Sequence, residues 1–218
     1  SALKTTSPER SWPTLRGHAA REGCADVEVG PRLERRWSRD LGGGLTQPIA
    51  VGDRLYVTSC RKQTLYCLDA GSGRIVWKRR TPAAVDSPPA YHRGMLIFGC
   101  RNGWVYNLRA GDGALVWRFR AAPANRNIVS YGRVESSWPV HGNVLVIRDG
   151  DRSVVYAAAG RNSYLDGGIY LYALDARTGK VLHRRRLKKP PQDSEKRYDP
   201  HELAGAKPDI FVYDGERI

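Results

Sequence analysis

Leu65-Tyr66-Cys67-Leu68-Asp69-Ala70-Gly71-Ser72-Gly73-Arg74-Ile75-Val76-Trp77 lies without a gap over Val105-Tyr106-Asn107-Leu108-Arg109-Ala110-Gly111-Asp112-Gly113-Ala114-Leu115-Val116-Trp117. With Trp37 before them, the two tryptophans complete a series spaced 40 residues apart. Upstream, Arg54-Leu55-Tyr56-Val57 lies over Gly94-Met95-Leu96-Ile97, and Cys60-Arg61 over Cys100-Arg101. A period near 40 built from strand-type residues marks small sheets repeated along a chain, as in a β-propeller.

One repeat resolves into four short strands. Gln47 to Val51 is apolar and ends at the tight-turn pair Gly52-Asp53. Arg54 to Ser59, Thr64 to Leu68 and Arg74 to Lys78 follow, separated by turn residues. A single such sheet cannot bury both faces, and stacking against neighbours does it instead. Asp69 and Asp175 are predicted to accept hydrogen bonds from backbone N–H groups two or three residues on. Gly73, Gly113 and Gly179 supply the positive φ of the reversal. Trp77 and Trp117 are placed to pack across the gap to the next sheet. Their recurrence at each period makes them structural rather than ligand-stacking.

Ala173-Leu174-Asp175-Ala176-Arg177-Thr178-Gly179-Lys180-Val181-Leu182-His183 follows the pattern Ala-x-Asp-x-x-Thr-Gly-x-x-x-Trp, with His183 in place of the tryptophan. This resembles the tryptophan-docking motif of the pyrroloquinoline-quinone (PQQ)-type β-propeller repeat family. Trp12-Pro13-Thr14-Leu15-Arg16-Gly17-His18-Ala19-Ala20-Arg21-Glu22-Gly23 is similar to the segment that opens many such propellers. The resemblance covers nearly all of residues 12 to 218. The family includes quinoprotein alcohol dehydrogenases and BamB-type outer-membrane assembly lipoproteins.

The resemblance implies an all-β fold, a β-propeller of four-stranded antiparallel blades. An N-terminal segment (1–30) leads into repeats over 31–218, with blades near 45–80, 85–120 and 135–187. A fourth begins at about 208, where Val212-Tyr213-Asp214-Gly215-Glu216-Arg217-Ile218 lies over Ile49-Ala50-Val51-Gly52-Asp53-Arg54-Leu55. The family's closed rings hold about seven or eight blades. Three and a fragment cannot close, so an incomplete ring is expected, with the missing blades supplied by the rest of a longer chain.

Bulk properties narrow the function classes. The 218 residues carry 36 basic and 22 acidic side chains, a net charge of +14. That balance favours anionic partners, yet the arginines are scattered over the whole length. The densest cluster, Arg184-Arg185-Arg186-Leu187-Lys188-Lys189 before Pro190-Pro191, reads as a solvated outer strand running into a linker. No aromatic residue interleaves it, as a nucleic-acid reader would require. Apolar runs such as Val144-Leu145-Val146-Ile147 are too short to span a bilayer. Ser1 to Arg10 is polar, so a targeting segment has been removed or the sequence begins inside a longer protein.

Cys24, Cys60, Cys67 and Cys100 form no C-x-x-C or vicinal pair. Cys60 and Cys100 occupy equivalent repeat positions and are read as a disulfide or, preferentially, as buried free thiols. His18, His92, His183 and His201 are isolated, and His141 precedes a glycine turn. No metal-ligand spacing is recognised.

The third repeat breaks the period. Trp117 to His183 is 66 residues, 26 more than the regular spacing. Aligning Pro139 with Pro89 places about ten extra residues before strand one, ten between strands one and two, and six between strands two and three. Glu135 to Gly142 then falls on the innermost strand. In an up-and-down blade, the first and third of these insertions lie at the same end. These two insertions, with the strand the first leads into, contain Arg126, Arg133, Glu135, Trp138, Arg161, Asn162, Tyr164 and Asp166. Long loops on a rigid scaffold concentrate binding residues. The set reads as a polar pocket for a carbohydrate, a peptide or an anionic group. It reads equally as carboxylates and arginines that satisfy one another, with Asp166-Gly167-Gly168 a plain turn.

Three functions follow. The favoured one is a non-catalytic propeller outside the cytoplasm, periplasmic or secreted, that binds a protein or extracellular ligand through one face. The second, implied by the family, is part of a PQQ- and calcium-dependent dehydrogenase with Glu135, Asn162 and Asp166 as oxygen ligands. The family's vicinal cysteines are missing here. The third is polyanion binding by the basic surface. The favoured reading assigns no cofactor, no catalytic residue and no metal.

Overall fold

The computed structural model describes residues 11–25, 30–188 and 210–218, and every element in them is a strand. In the first blade β1 is Ile49–Val51, β2 Arg54–Ser59, β3 Thr64–Asp69 and β4 Ile75–Arg80. The second holds β5 (Ala90–His92), β6 (Met95–Cys100), β7 (Trp104–Arg109) and β8 (Leu115–Arg120). A hairpin of β9 (Asn127–Ser130) and β10 (Arg133–Ser136) precedes the third blade. That blade is β11 (Leu145–Asp149), β12 (Arg152–Ala159), β13 (Ile169–Asp175) and β14 (Val181–Leu187).

Each blade is a four-stranded antiparallel meander in chain order. The outer hairpin slips register at the same place in all three, between Cys67 and Leu68, Asn107 and Leu108, and Ala173 and Leu174. The middle strands are buried and the outer ones largely exposed, as a stacked sheet with one wet edge requires. Arg184, Arg185 and Arg186 accordingly stand on the exposed outer strand β14.

The cores lie between blades rather than within them. Ile49, Tyr56 and Leu65 of blade one pack with Leu96, Phe98 and Leu108 of blade two. Ile97 and Val105 of blade two pack with Val155, Ala157 and Leu174 of blade three. A fully buried Leu or Phe contributes about 1.5–3 kcal/mol, so each interface is a principal source of stability.

The tryptophans join these interfaces. Trp37, Trp77 and Trp117 donate their indole N–H to the carbonyls of Ala70, Ala110 and Ala176, at 2.9, 3.0 and 3.0 Å. Each carbonyl belongs to the outer turn of the following blade. Within those turns Gly73, Gly113 and Gly179 have φ near +70°. A Cβ on any of them would fall 2.5–2.9 Å from the indole. The Asp69 carboxylate accepts from the Ser72 backbone N–H at 2.9 Å, and Asp175 from Thr178 at 2.8 Å. Blade two substitutes a surface ion pair, Arg109 with Asp112 at 2.5 Å.

Blade three departs from the sequence expectation. Its innermost strand is Leu145–Asp149, and Glu135 to Gly142 is not on it. The hairpin β11–β12 closes through Gly150-Asp151, the same two-residue pair that closes β1–β2 as Gly52-Asp53. No insertion therefore separates strands one and two. The extra residues extend the stretch before β11, which covers 121–144 against 81–89 in blade two, and the β12–β13 connection, 160–168 against 101–103.

All four cysteines are free. Cys60 donates to the carbonyl of Val85 at 3.1 Å and Cys100 to that of Ala83 at 3.5 Å. Burial pushes the Cys67 and Cys100 thiols up to about 11. Ile210–Ile218 forms no strand, and Tyr213 N–H donates to the Ala19 carbonyl at 3.1 Å. Ser1 to Arg10, the Lys189-Pro190-Pro191 linker, His201 and Pro208 lie outside the described residues.

Candidate functional site

In a four-stranded meander the connections leading into strand one and joining strands two and three share an end. In blade three these are the two enlarged stretches, and the structure stitches them together. The first lies along blade two: Ser136 N–H donates to the Arg101 carbonyl at 2.9 Å and Val140 N–H to the Cys100 carbonyl at 3.1 Å. Gly99 has no room for a Cβ, which would stand 2.3 Å from the Val140 side chain. Gly160 N–H then donates to the Pro139 carbonyl at 3.0 Å, tying that stretch to blade three.

Asp166 joins the two loops. Its carboxylate receives Arg161 at 2.5 Å and pairs with Arg126 from the other loop. Its backbone carbonyl accepts the Trp138 indole N–H at 2.9 Å. The Arg126 guanidinium lies 4.7 Å from the centre of the Trp138 ring and donates to Ser137 Oγ at 2.9 Å. Asn162 Oδ1 accepts from Tyr164 N–H at 2.8 Å and shapes the turn between Arg161 and Asp166. Arg126, Trp138, Arg161, Asn162, Tyr164 and Asp166 are therefore one constellation. Asp166-Gly167-Gly168 is a turn that also clamps.

Two residues of the expected set go elsewhere. Arg133 donates to the Cys60 carbonyl of blade one at 3.0 Å. Glu135, 4% exposed, pairs at 2.6 Å with Arg101, whose Nε reaches Asp86 at 2.5 Å. His141 is held below the usual histidine value, mainly by burial and further by Arg101, so it is neutral at pH 7. Sequence reasoning missed Asp86 and Arg101 because both stand on the regular second blade. Asp86 and His141 line a cleft of about 380 Å³ with Thr46, Gln47, Ser87 and Asn143. These residues precede β1, β5 and β11, so the cleft opens where the three inner strands begin.

Arg21 was missed as well. The opening segment crosses the inner strands: Trp12 pairs with Ala50, and Tyr91 N–H donates to the Pro13 carbonyl at 2.7 Å. Arg21, 4% exposed, donates to Thr14 Oγ1 and the Leu15 carbonyl at 2.7 Å, and to Asn143 Oδ1 at 2.6 Å. Burial lowers its guanidinium to about 10, which leaves it a cation at neutral pH.

The β9–β10 hairpin stands out from the long connection. It turns at Tyr131-Gly132, both with positive φ. Tyr131 is 99% exposed, Val129 76% and Val134 64%, an apolar tip with Arg133 beside the turn. The sequence reading of Ser130-Tyr131-Gly132-Arg133 did not include this hairpin.

The donor set does not fit calcium. A calcium ion takes six to eight oxygens, whereas Glu135 faces Arg101, Asp166 faces Arg126 and Arg161, and Asn162 Oδ1 is engaged by Tyr164. No chemical step through a quinone–calcium pair is assigned to these residues.

The family model described as outer membrane protein assembly factor BamB matches residues 26–199. Among solved structures, a quinohemoprotein alcohol dehydrogenase from Comamonas testosteroni matches at 18% identity and a TM-score of 0.65, covering 84% of this chain and 28% of its own. A europium-containing methanol dehydrogenase matches at 20% identity and a TM-score of 0.62, covering 83% and 32%. BamB from Moraxella catarrhalis matches at 20% identity and a TM-score of 0.43, covering 62% and 34%. The chain spans about a third of the length of these structures, and at such identities they show the fold alone. No curated protein matches.

Proposed function

The chain belongs to the family described as outer membrane protein assembly factor BamB, an all-β propeller of PQQ-like repeats, and on that premise we propose that it is a non-catalytic interaction propeller. It binds a partner protein through the blade-three end of the array, in the periplasm or outside the cell. Among the described residues no helix is long and apolar enough to cross a membrane.

The observation that carries the reading is the β9–β10 tip. Val129, Tyr131 and Val134 are exposed together on a chain whose mean hydropathy is −0.52. Exposed apolar groups collected on a projecting hairpin mark a docking surface. Arg133, beside the turn, favours a partner that presents acidic groups beside its own apolar side chains. The loop constellation around Asp166 supports the base of the hairpin, since Arg126 immediately precedes β9.

The test is site-specific photocrosslinking in envelope fractions, with the probe at Tyr131 and, as a control, at Arg177 on the outer turn of blade three. A discrete protein adduct is expected at Tyr131 alone, lost when Val129 and Val134 are both changed to serine. Equal adducts at both positions would remove this face from consideration. Adding quinone with calcium and following dye-linked alcohol oxidation tests the dehydrogenase reading directly, and turnover would displace the proposal. A steep salt dependence of heparin binding, unaffected by the tip substitutions, would instead favour the polyanion reading.

A further inference from the structure

His18, Glu22 and Cys24 stand apart in the sequence reading, where His18 counts as isolated and no metal set is recognised. The fold brings their donor atoms within 4.8 Å of one another. The His18 Nε2 to Glu22 Oε2 separation is 3.5 Å, Cys24 Sγ to Glu22 Oε2 is 3.7 Å, and Cys24 Sγ to His18 Nε2 is 4.0 Å. A tetrahedral zinc ion with bonds of about 2.0–2.1 Å to nitrogen and oxygen and about 2.3 Å to sulfur has donor–donor edges of roughly 3.3–3.7 Å. The three separations need to contract by only a few tenths of an ångström to match it.

The loop that presents these donors is fixed by contacts that do not involve them. Gly17 N–H donates to the Thr14 carbonyl at 3.1 Å, Arg21 N–H to the His18 carbonyl at 3.0 Å, and Gly23 N–H to the Arg16 carbonyl at 3.2 Å. Arg21 and Gly23 both take positive φ, at 57° and 74°. The Arg21 side chain, between two of the donors in sequence, is pinned inside the protein by Asn143 and Thr14. A ligand set carried on a preorganised backbone loses little entropy on binding.

We infer that His18, Glu22 and Cys24 form a binding site for one borderline divalent transition ion of the zinc class. Imidazole and thiolate select against calcium and magnesium, which take oxygen donors. Three protein ligands leave a fourth position for water. His18 also lines a cleft of about 240 Å³ with Pro13, Thr14, Tyr91 and His92. The ion would therefore sit beside space that admits a small ligand. The site is independent of the β9–β10 docking tip.

The test uses the whole chain, free of affinity tags, dialysed against zinc and separately titrated with cobalt(II). One equivalent of zinc is expected to be retained, and cobalt to show a thiolate charge-transfer band in the near ultraviolet with the strong visible bands of a four-coordinate ion. Cys24→Ser should abolish the charge-transfer band. His18→Ala and Glu22→Gln should each weaken zinc binding at least tenfold. Cys60→Ala should leave both signals unchanged. His18 and Glu22 side chains are 44% and 64% exposed, so these variants keep the fold, which near-ultraviolet circular dichroism checks. A charge-transfer band that survives Cys24→Ser, or a wild-type chain that retains no zinc, would overturn the inference.

Discussion

The indole of Trp77 covers Gly113 of the following blade so closely that a Cβ there would stand 2.9 Å from its ring. The contact spans two blades and depends on the absence of a side chain.

Gly113→Ala is therefore expected to destabilise the protein by about 2–3 kcal/mol, from strain at φ +71° and from displacement of the ring. Gly111→Ala, where a Cβ meets nothing within 4 Å, should stay within about 0.5 kcal/mol of wild type. Urea denaturation of the pair separates the seam from a general turn effect. Equal losses would contradict it.

Arg101 bridges a buried carboxylate, Glu135, and a half-buried one, Asp86. Arg101→Ala leaves Glu135 inside without a counter-charge and should cost about 3 kcal/mol, the lower end for a broken buried pair because Arg101 is 32% exposed. Arg101→Ala with Glu135→Gln should recover part of that loss. A double-mutant cycle by thermal or chemical denaturation reads the coupling, and strict additivity would count against it.

Arg21→Met removes the donors from Thr14, Leu15 and Asn143 while keeping an apolar stem. The expected loss is about 2–4 kcal/mol from the stranded acceptors. It should be local: amide exchange over 12–24 should accelerate more than over β6 or β12. Uniform acceleration would show that Arg21 acts on the whole array.

The Arg109 guanidinium and the Ala114 N–H hold the Asp112 carboxyl down at about 2, below its ordinary 3.8. A depressed acid stabilises above its unfolded value and loses that contribution as pH falls through its folded one. The difference in melting temperature between wild type and Asp112→Asn should be constant above about pH 4 and vanish near pH 2. The pair lies on the surface, so the difference should also shrink with added salt. A difference that grows below pH 4 would reverse the assignment.

The blades were legible because their signals are local. Gly52-Asp53, Gly73 and Trp77 each report a turn or a strand end within a few residues, and their recurrence supplies the rest. Matching Pro139 to Pro89 puts the inner strand of blade three too early, because the turn that sets it is Gly150-Asp151, repeating Gly52-Asp53. Asp166 and its arginines could be gathered from topology, since both loops share an end. Glu135 could not be given its partner: Arg101 lies 34 residues away on a blade that keeps the regular period. Arg21 shows the same limit, because its acceptors span residues 14 to 211 and nothing local reports them.

The forward reach of each tryptophan gives the array a direction. Trp77 leaves blade one to settle in the turn of blade two, and Trp117 leaves blade two for blade three. A lesion in a turn is thus also felt one blade upstream: a side chain at Gly179 would press on the Trp117 ring of β8. At the far side, His183 occupies the corresponding place on β14. Any surface that seats against blade three there meets a small, polar ring where the other seams have an indole.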